Sequence, residues 1–155
     1  MRKVGVVGSG AMGNQIAQIM ALNDYEVFLK DISKELLEKG MANIKKSLDE
    51  LTSFHKEKAD KEINRIQEHD GIVLSQDQVA SIRTKLRPTY DEKRAAGILS
   101  RIHPSESFEP FKDVDIVFEA IIEEIEEKKK LYGELDQVTR KNAILASNTS
   151  TLSIT

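Results

Sequence analysis

The chain has no cysteine. That excludes a disulfide framework and a thiolate metal site, and it fits a reducing compartment. No apolar run approaches the roughly 20 residues that a membrane span needs. The stretch behind Met1-Arg2-Lys3 is interrupted by Gly8, Ser9 and Gly10, then by Asn14 and Gln15, which is the wrong shape for a secretory signal. Positive charge is not in excess: the net charge is -3 over 155 residues, so no basic field points to nucleic acid. Internal repeats, low-complexity segments and metal-ligand spacings are also missing. What is present is 39% hydrophobic and 32% charged residues, enough for one core under a heavily solvated surface. These features predict a single cytoplasmic domain over residues 1–155.

Val4 to Val7 is a short β-branched run that reads as a buried parallel strand. Met12, Ile16, Ile19 and Met20 then fall on one helical face, with the small residues Gly13 and Ala17 four apart beside it. Val27-Phe28-Leu29 is a second strand. Strand, glycine turn, helix, strand is a βαβ unit. Ser33 is placed to cap a long charged helix with a narrow stripe of Leu37, Ile44, Leu48 and Leu51. The partner of that stripe is expected to be a helix carrying Ala59, Ile63 and Ile66, or one carrying Val79, Ile82 and Leu86. Ser75 or Asp77 starts the latter, and Thr89 with Glu92 suggests a capping box for a helix ending near Leu99. Residues 33–100 thus form a helical excursion, read as a projecting hairpin. Residues 104–110 look like a loop. Ile116-Val117-Phe118 is a third strand and Ala143 to Ala146 a fourth. Glu124–Lys128 and Glu126–Lys130 suit helix-stabilising pairs between them. The fold class is α/β: a Rossmann-type parallel sheet with an inserted long helical hairpin.

Gly8-Ser9-Gly10-Ala11-Met12-Gly13 is G-x-G-x-x-G, directly after a strand and opening a helix. Gly8 permits the tight turn, Gly10 leaves room for a pyrophosphate, and Gly13 lets helix and strand approach. Free N–H groups at the helix start face the phosphates. A glycine-rich turn without a ligand is the plainer alternative, but the strand, the helix and a later acid agree. That acid is Asp31, at the end of the second strand. It accepts from a ribose hydroxyl and repels a 2′-phosphate, favouring NAD over NADP. Lys30 and Lys34 pull mildly the other way, and a helix-capping Asp is the alternative. Ser147-Asn148-Thr149-Ser150 sits beyond the carboxyl end of a strand, where open α/β sheets hold ligands. By spacing alone an ordinary polar turn capping a helix is the favoured reading there, as is a solvated surface pair for Glu123 and Lys128. His55, His69 and His103 show no acid–base arrangement.

Four segments together, VGVVGSGAMGNQIAQIMA, VFLKD, DVDIVFEAIIEEIEEKKKLYGELD and AILASNTSTLSIT, resemble the 3-hydroxyacyl-CoA dehydrogenase family. GILSRIHPSESFEPFKDVD is most similar to the dehydrogenase part of multifunctional fatty-acid oxidation enzymes. The resemblance covers residues 1–50 and 95–155. It implies an NAD-binding domain that is followed by a helical domain, and oxidation of L-3-hydroxyacyl-CoA to 3-oxoacyl-CoA in β-oxidation. By motif position it assigns Gly8, Ser9, Gly10, Ala11, Met12, Gly13 and Asp31 to NAD, and Glu123, Lys128 and Asn148 to the nicotinamide half. Ser150 takes the catalytic hydrogen bond to the substrate oxygen. Ser47 matches a serine that meets CoA; the accompanying lysine falls at Phe54 in an ungapped count, with Lys56 as its replacement. The family's general-base histidine, in an H-F-F-N-P segment, lies beyond Thr155. The segment between Lys56 and Tyr90 has no counterpart.

The resemblance therefore implies the cofactor half of a dehydrogenase, inactive by itself, with acyl-CoA as partner and the C-terminal helical domain absent. The alternative is a stand-alone NAD-binding module that senses or scaffolds through its helical excursion. Another Rossmann dehydrogenase acting on a β-hydroxyacid is a third reading, which S-N-T-S disfavours. An exposed apolar side of the excursion would favour self-association, including a homodimer.

Overall fold

The computed structural model describes residues 2–150; residues 151–155, the end of the last matched segment, lie outside it. Five parallel strands form one sheet in the order β3-β2-β1-β4-β5. In chain order, β1 spans Lys3–Val7, α1 Ala11–Leu22, β2 Glu26–Lys30, α2 Lys34–Asn64, α3 Gln76–Lys85 and α4 Glu92–Leu99. After them come β3 Ile102–Ser105, β4 Ile116–Glu119, α5 Ile125–Val138 and β5 Ile144–Ser147. A π-helical turn, Arg65–His69, extends α2, and a 3-10 turn, Glu109–Asp113, precedes β4.

The described residues divide into two compact units, residues 2–45 with 97–150, and residues 46–96. In the first, β1 is central and its Val4, Val6 and Val7 are buried. Val7, Phe111, Val114, Val117, Leu131 and Leu135 form a core cluster on which Phe28, Phe108 and Leu145 close. Burial of this apolar surface is the main stabilising term, at about 25 cal/mol per Å².

Several expectations change. The segment expected as a loop begins inside β3, whose Pro104 and Ser105 pair with Leu29 and Lys30. Pro104 disguised it, since proline is tolerated where no ladder donor is needed, as on this edge strand. The sheet-facing side of α1 is Gly13, Asn14, Ala17 and Ala21, whereas Met12 and Ile19 are about half exposed. Small residues win because the helix lies very close to β1: a Cβ on Gly13 would overlap the Gly8 carbonyl.

The excursion also differs. Ser33 caps α2 as expected, accepting from Leu36 N at 3.3 Å. But α2 runs unbroken through Ala59 and Ile63, so these continue the stripe and cannot oppose it. The helices of the excursion span Lys34 to Leu99, and residues 46–96 of it form a compact unit. Residues 34–45 belong to the sheet unit because Gly40 permits close approach: a Cβ there would meet Ser9 Cβ at 2.8 Å and Asn14 Oδ1 at 2.9 Å.

Inside the 46–96 unit, Leu48, Thr52, Ala59, Ile63, Tyr90 and Ala95 are buried. Ser75 and Gln78 make a reciprocal capping box on α3, so Ser75 rather than Asp77 is the cap. The Thr89–Glu92 box is not formed. Asp91 accepts from Arg94 N at 2.8 Å instead, while Thr89 faces His55 and Glu92 pairs with Lys56. α3 has no fully buried residue and is tied by Arg83 to Asp60 at 3.1 Å.

Candidate functional site

Gly8 directly follows β1 in a left-handed conformation, φ +100°, which favours glycine. Its N–H donates to Lys30 O at 2.8 Å, joining the turn to β2. Gly10 caps α1 with extended backbone and no side-chain cap bond. No acidic residue occupies the first turn. The start of α1 therefore offers uncompensated N–H groups and the positive end of its dipole. A Cβ on Gly10 would meet nothing within 4 Å, because that position faces open space. That space is a cavity of about 540 Å³ lined by Gly8, Ser9, Gly10, Ala11, Asp31 and Ile32, by Leu36, Lys39 and Asn43 of α2, by Ala120 to Ile122, and by Glu127.

Ser9 is buried and works toward the protein. Its N–H donates to Asp31 Oδ2 at 2.6 Å, and its hydroxyl lies 2.6 Å from the same oxygen and 2.9 Å from Leu36 O. Ile32 N donates to Asp31 Oδ1 at 2.7 Å. Asp31 is thus pinned at the edge of the cavity that it helps to line. An open, dipole-positive phosphate cradle beside a fixed carboxylate fits a dinucleotide. Met12 and Gly13 do not line the cavity; Gly13 acts through helix–strand approach and Met12 is exposed.

At the carboxyl ends of β4 and β5 lies a second polar cluster. Glu119, the last residue of β4, is completely buried. Both its oxygens accept from Lys128 Nζ at 2.9 Å, Oε1 also accepts from Ile121 N at 3.0 Å, and Oε2 from Ser147 Oγ at 2.6 Å. Lys128 reaches Glu123 Oε2 at 3.0 Å as well. Thr149 donates to Glu123 from the β5 side, and Asn148 N donates to Glu119 O at 2.9 Å. Asn148 and Ser150 are exposed at this end of the sheet.

Burial is the largest single influence on the Lys128 ammonium and pulls its pKa down. The hydrogen bonds and charges of Glu119 and Glu123 together outweigh it, so Lys128 stands above its ordinary value. The phenol of Tyr132 is pushed up chiefly by burial, with Ser147 pulling the other way.

Neither a solvated Glu123–Lys128 surface pair nor the expected Glu124–Lys128 and Glu126–Lys130 pairs describes α5. Glu124 is the N-cap residue, Lys128 points inward, and Glu126 pairs with Lys129 at 2.9 Å. Glu119 went unnoticed because a glutamate ending an apolar strand gives no periodic signal. The clue was the basic residue nine positions on, which a helix start returns to the strand end.

Ser47 is half-buried on α2, and Lys56 is exposed and paired with Glu92; both belong to the 46–96 unit. In the sheet unit, His103 sits on edge strand β3, with its Nε2 2.6 Å from the acceptor Glu26 Oε2 and its ring tilted against Phe28 at 5.4 Å. That is the opposite sheet edge from β5. Among the described residues no His/Asp/Glu cluster could hold a metal, and no helix is long and apolar enough to cross a membrane.

Comparison with known proteins gives a consistent result. The family model for the 3-hydroxyacyl-CoA dehydrogenase NAD binding domain matches residues 3–82 and again 75–155. A 3-hydroxybutyryl-CoA dehydrogenase of Bradyrhizobium diazoefficiens is 32% identical over the whole chain, which covers 42% of that protein. A peroxisomal fatty acid beta-oxidation multifunctional protein of Arabidopsis thaliana is 29% identical over 99% of the chain, covering 17% of its own length. The crystal structure of (S)-3-hydroxybutyryl-CoA dehydrogenase from Ralstonia eutropha superposes with a TM-score of 0.70 at 32% identity, covering 99% of this chain and 43% of that one. The chain thus spans less than half the length of these relatives. Their names include a peroxisomal protein and so do not single out the cytoplasm.

Proposed function

Because the chain belongs to the 3-hydroxyacyl-CoA dehydrogenase family as its NAD-binding domain, we propose that it forms the cofactor-holding half of an enzyme oxidising L-3-hydroxyacyl-CoA. The observation that carries this is the open cradle at Gly10 beside a pinned Asp31. Gly8, Gly10, Ala11, Met12 and Gly13 shape the turn and present helix N–H groups to the pyrophosphate. Asp31, oriented by Ser9, accepts from the adenosine ribose. Glu123, Lys128 and Asn148 wall the nicotinamide half at the ends of β4 and β5.

NAD, when bound, supplies the hydride acceptor. Ser150 donates to the substrate's hydroxyl oxygen, where charge develops, so its bond strengthens as the transition state forms. A base from outside this chain takes the hydroxyl proton. Ser47 and Lys56 contact the CoA portion of the substrate. We place the complete enzyme in fatty-acid β-oxidation.

The test is fluorescence titration of the 155-residue chain with NADH and NADPH. NADH should bind and NADPH bind far more weakly. Asp31→Ala should weaken NADH by about tenfold or more, since a hydrogen bond to a charged group contributes roughly 1.5–3 kcal/mol. Gly10→Ala should abolish binding without loss of stability, because only the ligand would meet its methyl group. The chain should not oxidise NADH with acetoacetyl-CoA beyond a Ser150→Ala control. Equal affinity for both nucleotides, or binding by Gly10→Ala, would overturn the assignment.

A further inference from the structure

The ammonium of Lys128 has three N–H donors. Glu119 and Glu123 take all of its described contacts, two at 2.9 Å and one at 3.0 Å. Its side chain is only 7% exposed and that of Glu119 is 0% exposed. The Lys128 donors are therefore taken up by the two carboxylates. Glu119, in turn, touches three chain segments that converge at the strand ends: the start of α5 through Lys128, the loop after β4 through Ile121 N, and the end of β5 through Ser147. Two of these carry Glu123 and the Asn148–Ser150 turn.

We propose that Glu119 is a positioning residue: it fixes Glu123 through Lys128 and fixes the turn bearing Asn148 and Ser150 through Ser147. This rests on the proposed placement of the nicotinamide half beside those residues. A buried carboxylate does this better than an apolar residue because it is directional and accepts four bonds at once. The demand on it is also strict. Removing Lys128 leaves Glu119 buried without its ion-pair partner, and removing Glu119 leaves the buried Lys128 with Glu123 alone; a broken buried pair is more costly than its removal as a pair. The titratable groups facing Lys128 are Glu119 from β4, Glu123 from the loop, and Tyr132 from the next turn of α5.

Glu119→Gln preserves shape and removes the charge. In that variant one of the two carboxylates that offset burial is gone, so Lys128 should lose its proton at a lower pH than in the unmutated chain. The proton can be followed by NMR of the lysine Nζ group in the 155-residue chain, with no ligand present. NADH affinity should fall about tenfold at neutral pH and further as pH rises toward 10, while the unmutated chain shows no such decline. Ser147→Ala keeps the ion pair and cuts only the link to the turn. It should weaken NADH severalfold and leave the Lys128 titration unchanged, and it decides the matter if Glu119→Gln does not fold. Thermal melts alongside separate positioning from global loss. Unchanged Lys128 titration in Glu119→Gln, or unchanged NADH affinity in Ser147→Ala, would overturn the proposal. If the unmutated chain fails to bind NADH, the cofactor reading fails, and the ligand-free titration still reports on Glu119.

Discussion

In the sheet unit a carboxylate lies wholly buried against a buried ammonium, whereas in the 46–96 unit every described ion pair is at the surface. Glu119 and Lys128 are 0% and 7% exposed; Arg83 and Asp60 are 63% and 62% exposed. The same residue types therefore do different work. Surface pairs in water contribute little, because solvent and salt screen them and two flexible side chains must be ordered. Charges under a sheet end act through geometry, since every donor and acceptor must be matched. One unit is held by apolar burial around a precise polar cluster, and the other by helix propensity, a thin apolar stripe and exposed charge.

That contrast can be broken in steps. Local stability ranges from near zero at weakly packed segments to the global value of about 5–15 kcal/mol in cores. By hydrogen exchange, amides of residues 4–7 and 116–118 should be protected far longer than those of residues 76–85, where no side chain is fully buried. Equal protection in a proven monomer would remove the distinction.

Phe111→Ala should cost about 3–5 kcal/mol by denaturant titration, because the ring is completely buried among Val7, Val114, Val117 and Leu135. A loss under 1 kcal/mol would mean the cluster is not the sheet unit's core. Gly13→Ala should cost about 1–3 kcal/mol or more, since the added methyl overlaps backbone that cannot yield. Gly10→Ala is the matched control and should melt like the unmutated chain.

Arg83→Ala should change stability by less than about 1 kcal/mol and lose even that in high salt. Acid sharpens the same point. A hydrogen bond from Arg65 holds the Glu62 carboxyl below its usual 4.5, and one from Lys56 does so for Glu92. A lowered carboxyl contributes fully above its ordinary pKa and loses that contribution as pH falls through the lowered value. Helix content followed by circular dichroism should therefore be flat from pH 7 to about 5, with any loss from these pairs confined below 4.5.

The glycine turn and its neighbours were legible because their signals are local. Gly8-x-Gly10-x-x-Gly13 between a β-branched run and a helix encodes its own geometry, and Asp31 follows at the next strand end. The Ser33 cap and the Ser75–Gln78 box lie within one turn of their partners. β3, the inward face of α1, the reach of α2 and the role of Glu119 were not legible. Pro104 obeys an edge-strand rule that applies only once β2 is known to be its neighbour. Gly40 in mid-helix is explained only by Ser9 and Asn14 standing against it. Glu119 gives no periodic signal in the sequence and Lys128 reads by pattern as a surface charge until the return of α5 to the end of β4 buries them together. Turns, caps and strand propensity depend on neighbours along the chain and are determined by sequence alone. Burial and charge pairing depend on neighbours in space, and only the tertiary structure decided them.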